Sequence, residues 1–294
     1  MARIEVEKVA DVRCAVGEGV FWDEATQSVW FVDITPGHLY RLKDGTLDRW
    51  EFGEPLGCLA LDVHGRPVLA LKSGIVRVDL ATGARTPVAN PEADRPHNRF
   101  NDGTVDRQGR FWAGSMKMGG DPERTGAFYR LDADGRATRV MDGYFTTNGL
   151  AFSPDGRTLY LSDSNADVRM VWAADYDPAT GTPGPLRPFF DTRIVHGRPD
   201  GAVCDDDGCY WMAGIGGWQL VRITPAGVID RIVEVPVERP SRPAFGGKDR
   251  DVLYVTSLSV GLTPGTEDRQ PFTGSLIAVH GTGVKGPAQP RFAG

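Results

Sequence analysis

Four short runs set an oxygen-bearing side chain beside glycine: G-E-G at Glu18, N-D-G at Asp102, N-G-L at Asn148 and P-D-G at Asp200. Each opens a short apolar run. Carboxylates and amides brought to one place repel or stay unsatisfied unless something bridges them. A divalent cation is the simplest bridge, and these oxygen donors suit calcium, magnesium or manganese as well as zinc or ferrous iron. Taken singly, Asx-Gly is turn chemistry, and Asn or Asp can bond local backbone at a strand start. Recurrence at one position of similar segments favours the cation.

Other chemistries find little support. There is no G-x-S-x-G elbow, no H-E-x-x-H and no phosphate-binding loop. Ser115 follows a single glycine well inside an apolar run, which makes it a poor nucleophile. The histidines are scattered; His97 and His196 lie a few residues before the polar positions and read as loop residues in solvent. Arg198 and Arg242 flank the same positions and read as rim residues paired with carboxylates or touching substrate.

The elements that must position these side chains come from an internal repeat. GEGVFWDEATQSVWFVD, GCLALDVHGRPVLALKSG, NDGTVDRQGRFWAGS, NGLAFSPDGRTLYLSDS, PDGAVCDDDGCYWMAG and RPAFGGKDRDVLYVTS follow one pattern. A short apolar strand leads to an Asp/Gly-rich turn and a second strand with aromatic or apolar pairs. Several continue into G-x-φ-x-R-φ, as in GIVRVD. A period of about 40 to 50 residues with several short strands per unit marks propeller blades. The expected fold is all-β, a six-bladed β-propeller forming one domain over residues 1–294, with the metal site in its central channel. Residues 4–12 alternate like a strand and should complete the last blade beside the C-terminal strands.

Aligning the units places Glu18, Gly57, Asp102, Asn148, Asp200 and Pro243 in one column before the innermost strands, which line the channel. Trp30, Trp112, Tyr160, Trp211 and Tyr254 recur in second strands and read as packing between blades. Tyr144 and Trp218, nearer loops, are candidates for the mouth. The tail from Gly281 to Gly294 is expected to lie loosely on the surface.

Bulk properties narrow the partners. A net charge of −6 and the lack of basic clusters argue against nucleic acid. No apolar run approaches the roughly 18 residues of a membrane span, and the N-terminus lacks a signal-peptide core. Cys204 and Cys209 flank a turn and could pair, but reduced cysteines in a cytoplasmic protein are the simpler expectation.

G-E-G-x-x-W at Gly17, N-R-x-N-D-G at Asn98, N-G-L at Asn148, P-D-G at Pro199 and F-G-G at Phe245 occur in this order. The set covers almost the whole chain and resembles the senescence marker protein-30/gluconolactonase family of six-bladed propellers. The resemblance implies one divalent cation held by Glu18, Asn148 and Asp200, with Arg99 and Asn101 holding substrate or water. It also implies hydrolysis of sugar lactones to aldonic acids, with a small-molecule lactone as the partner. A cation would serve as Lewis acid and lower the pKa of water, and Asp200 is the candidate general base. The column selects Asp102 where the family selects Asn101. Neighbouring strand residues face opposite ways, so Asn101 is expected in the channel and Asp102 on backbone. Where some members carry an acidic residue after Ser115-Met116, this chain has Lys117, so substrate preference does not carry over. Two alternatives remain: an aryl-ester or organophosphate hydrolase, and a calcium-binding or scaffolding propeller without turnover.

Overall fold

Asp-x-x-Gly turns give the chain its local geometry. A computed structural model describes residues 3–294. In it, Asp62 Oδ1 accepts the backbone N–H groups of His64 and Arg66, both at 2.9 Å. Asp106 does the same for Gln108 and Arg110. The second carboxylate oxygen then holds an arginine from a neighbouring strand: Arg77 lies 3.0 Å from Asp62, and Arg222 lies 2.7 Å from Asp205. In blades two and five the arginine of G-x-φ-x-R-φ thus neutralises the aspartate that closes the turn, whereas in blade three Arg110 and Tyr176 take that place on Asp106.

These turns organise six antiparallel sheets arranged as a six-bladed propeller. The innermost strands are Gly17–Asp23, Leu56–Leu61, Asn98–Val105, Thr147–Phe152, Arg198–Cys204 and Pro240–Gly246. Each packs on the next, and the sixth packs back on the first. The ring closes as expected: Glu5–Ala10 pairs with Leu276–His280 as the outermost strand of the sixth blade. The fourth sheet carries a fifth strand, Arg187–Asp191.

An apolar cluster fills each gap between blades. Trp30, Trp112, Tyr160 and Trp211 are buried there, with Tyr254 packed against one edge. Tyr144 corrects its sequence assignment. It lies in the gap between blades three and four, with its ring 4.9 Å from Phe128, rather than at the mouth. The four cysteines are buried and unpaired. No helix among the described residues is long and apolar enough to cross a membrane.

The tail is also unlike its expectation. Phe292 is fully buried in the gap between blades two and three. Blade two's two inner strands present small side chains there (Cys58, Ala60, Val68 and Ala70), and the ring packs in the same cluster beside Ile75. Backbone bonds from Phe292 to Leu61 and from Ala293 to Gly109 fix it. Glycine and proline content marked the segment as irregular, but irregular backbone can still carry a core residue. Phe292→Ala should lower stability by about 3–5 kcal/mol in urea unfolding. A loss below about 1 kcal/mol would show that the tail is only laid on the surface.

Candidate metal centre at the channel mouth

Every innermost strand breaks register at the same level near its start. The breaks fall between Glu18 and Phe21, Leu56 and Cys58, Phe100 and Gly103, Asn148 and Ala151, Pro199 and Ala202, and Pro240 and Pro243. A bulge re-aims side chains that regular alternation would send to opposite faces. Blades one and four build it with Glu18-Gly19 and Asn148-Gly149, whose glycines have φ of +59° and +67°. A Cβ on Gly149 would also sit 2.5 Å from the Tyr210 hydroxyl. In blades three and five, Asn101 and Asp200 are themselves unpaired residues of the bulge.

The register revises the sequence column. Asn101, not Asp102, occupies the place of Asp200; Asp102 matches Gly201 and Arg242. Asn101 does enter the channel, but the expectation that only one of the neighbours would do so fails at the bulge. Asp102 accepts backbone N–H bonds from Leu150 and Gly103, both at 2.8 Å, so its assignment to backbone holds. It is also ion-paired with Arg242, which reaches from blade six to blade three across the channel. Arg242 is thus an interior residue rather than a rim one. Below the pair lies a cavity of about 50 Å³ that Pro287, Gln289 and Pro290 help enclose.

Above the pair, Glu18, Asn148, Asp200, Asn101 and Arg99 come together. The carboxylates and both asparagines are each no more than 6% exposed. Asn148 Nδ2 donates to Ser164 Oγ at 2.6 Å, which turns its Oδ1 toward the Asn101 amide at 2.9 Å. Asn101 Nδ2 also donates to the Thr147 carbonyl at 2.8 Å, and its Oδ1 accepts from Arg99 Nη1 at 2.7 Å. Burial, and then the Asp102 charge, push Glu18 up to about 7. Burial and then Glu18 push Asp200 well above the usual carboxylate range. Arg99 falls to about 10 through burial, opposed by these two carboxylates.

The two carboxyls are close enough to share one proton. Two buried carboxylates and a fixed amide oxygen fit a hard or borderline divalent cation, which would replace that proton and remove the repulsion. Among the described residues no cluster of three His, Cys, Asp or Glu side chains competes as a metal site.

Other candidates fall outside. His97 and His196 are solvent-exposed, as expected of loop histidines. Ser115 is fully buried and bonds to Glu92. Glu92 also accepts from Asn98 and supports the third inner strand; no repeat marked it. Lys117 pairs with Glu123 beside a cleft over the third blade. Trp218 is half-buried at the mouth end, its backbone N–H donating to the Glu238 carbonyl. Ser164, the support of Asn148, could have been suspected from S-D-S at the end of the fourth repeat's second strand.

Comparison with known proteins gives the family of the chain. The chain is 37% identical to 6-deoxy-6-sulfogluconolactonase of Pseudomonas putida, over 95% of each chain. It is 38% identical to L-arabinolactonase of Azospirillum brasilense, over 97% of this chain and 95% of that protein. The crystal structure of a calcium-binding regucalcin from Agrobacterium tumefaciens superposes with a TM-score of 0.90 at 29% identity, covering 97% of this chain and 96% of that one. The model of the SMP-30/Gluconolactonase/LRE-like region matches residues 16–259. With that match over most of its length, the chain belongs to the SMP-30/gluconolactonase/LRE-like family.

Proposed function

We propose that the protein is a divalent-cation-dependent sugar lactonase that opens an aldonolactone to the aldonic acid. The observation that carries this is the buried pair Glu18 and Asp200 with the oriented Asn148 oxygen at the head of the channel. Lactone hydrolysis by the two relatives named for it supports the hydrolase class. Those relatives act on different sugars by name, so they leave the sugar open.

Glu18, Asn148 and Asp200 would hold the cation, which when bound supplies Lewis acidity toward the lactone carbonyl and acidifies water. Asp200 takes the proton of the attacking water. A buried carboxylate at the cation site stands within reach of the water that attacks, which is the placement a general base needs. The new C–O bond forms at the carbonyl carbon, the ring C–O bond breaks, and the leaving oxygen receives a proton. Arg99, locked to Asn101, offers its Nε and Nη2 donors to sugar hydroxyls. Asn101, whose two amide hydrogens are taken by Thr147 and Asn148, holds Arg99 in place and limits the poses a lactone can take. The same reading treats residues 1–294 as one domain with a small diffusible substrate.

Proton release from glucono- and arabinonolactone, corrected for spontaneous opening, tests both halves. Turnover should vanish on chelation and return with a divalent ion. Chelator-resistant turnover would remove the cation from the reading. Cation binding without turnover of any lactone would instead favour a calcium binder, the reading that the oxygen-only donors and the regucalcin neighbour support.

A further inference from the structure

Arg198 and Arg239 stand at the mouth on adjacent blades. Arg198 opens its inner strand two residues before Asp200, and Arg239 immediately precedes the strand Pro240–Gly246. Most arginines of this chain are neutralised at close range: Arg95 by Asp142, Arg139 by Asp94, Arg222 by three aspartates. Among the described residues, no carboxylate lies within ion-pairing distance of Arg198 or Arg239. The two nearest carboxylates are committed elsewhere. Asp200 belongs to the metal cluster. Glu238 accepts from Thr263 N and Oγ1 at 2.9 and 2.6 Å, from Thr266 Oγ1 at 3.3 Å and from Gln270 Nε2 at 3.2 Å.

Donors are left over on both guanidiniums. The Arg198 side chain makes no hydrogen bond within the described residues. Arg239 donates from Nη1 to the Gly261 carbonyl, while its buried Nε has no acceptor. Arg198 and Arg239 stand at the heads of inner strands that pack on each other, and burial, then the Arg198 charge, push Arg239 below its ordinary value. Paired guanidinium forks with free N–H groups are built to receive an oxyanion.

Resting on the lactonase reading, we infer that Arg198 and Arg239 form a subsite for an anionic substituent at the end of the sugar remote from the lactone carbonyl. The class is a lactone bearing a terminal carboxylate, sulfonate or phosphate. Two residues of strand place Arg198 about 7 Å along the chain from Asp200, on the scale of a five- or six-carbon sugar. The carboxylate created by hydrolysis forms at the metal end, so product binding does not account for cations at the other end.

The test compares kcat/KM for glucaro-1,4-lactone and 6-phosphogluconolactone with that for neutral gluconolactone, using cation-loaded wild type, R198Q, R239Q and R198K. Wild type should favour at least one anionic lactone by about tenfold or more. Each glutamine variant should cut the anionic-to-neutral ratio by roughly 10- to 100-fold, the worth of a charge-assisted hydrogen bond, and R198K should keep part of it. Equal use of neutral and anionic lactones by wild type, or an unchanged ratio in both glutamine variants, overturns the subsite while leaving the lactonase reading intact. If no lactone turns over, the lactonase reading fails. Calorimetric binding of glucarate and 6-phosphogluconate against gluconate then decides the subsite. Tighter binding of glucarate or 6-phosphogluconate, weakened in R198Q, supports it, and equal binding rejects it.

Discussion

Asp200→Asn should yield a folded propeller whose lactone hydrolysis is reduced by about 10³-fold or more. The substitution keeps the shape of the side chain at the bulge and removes its charge and its basicity together. A positioned general base contributes typically 10²- to 10⁴-fold, and loss of an anionic ligand weakens the cation as well. Two readouts separate these effects. Calorimetric titration should show weaker cation binding, and turnover at saturating cation should remain depressed. In the cation-free protein stability should not fall, because burial beside Glu18 and Asp102 already disfavours the Asp200 charge. Retention of a tenth of wild-type turnover at saturating cation would exclude Asp200 as the base.

The second large effect concerns stability. Arg242→Met leaves the Asp102 carboxylate buried in the channel beneath two further carboxylates, without its ion-pair partner. Removing one member of a buried pair costs about 3–5 kcal/mol. At roughly 2–4 °C per kcal/mol for chains of this general size, the melting temperature should drop by about 10 °C. Asp102→Asn in the Arg242→Met background should recover most of the loss, since it removes the stranded charge. Saturating divalent cation should also shrink the deficit, because an ion held by the native state alone stabilises it by mass action. A melting point within 2 °C or so of wild type would mean that the pair carries no such burden.

The propeller was legible in the sequence because its elements are local. In blades two and five the Asp-x-x-Gly turn and the third-strand arginine are two ends of one ion pair, so the repeat wrote part of its own contacts into those units. Glu18, Asn148 and Asp200 were visible because each is tied to a neighbouring glycine or proline that the bulge demands. Asp102 was harder. Strand alternation is a sound rule for regular backbone, and it fails where the register breaks. Glu92 was missed because it lies outside the repeated segments, and Arg242 was misplaced because its partner lies 140 residues away in the chain. The same holds for Phe292, whose burial depends on small residues more than two hundred positions earlier. Tyr144 looked like a loop residue only because its strand was short of sequence markers.

Closing the ring by pairing Glu5–Ala10 with Leu276–His280 sets an order on folding. Five blades consist of strands that are neighbours in sequence and can form as they are made. The sixth needs two segments separated by nearly the whole chain. Entropy lost in joining distant segments must be spent before their contacts repay it, which makes such pairings late and slow. Until then the inner strand Pro240–Gly246 has no first blade to pack against, and Leu276–His280 presents an open edge. An exposed edge is where another chain can add a strand. The interval before the last blade is sewn shut is therefore when this protein is most prone to aggregate, and refolding yield should fall as concentration rises.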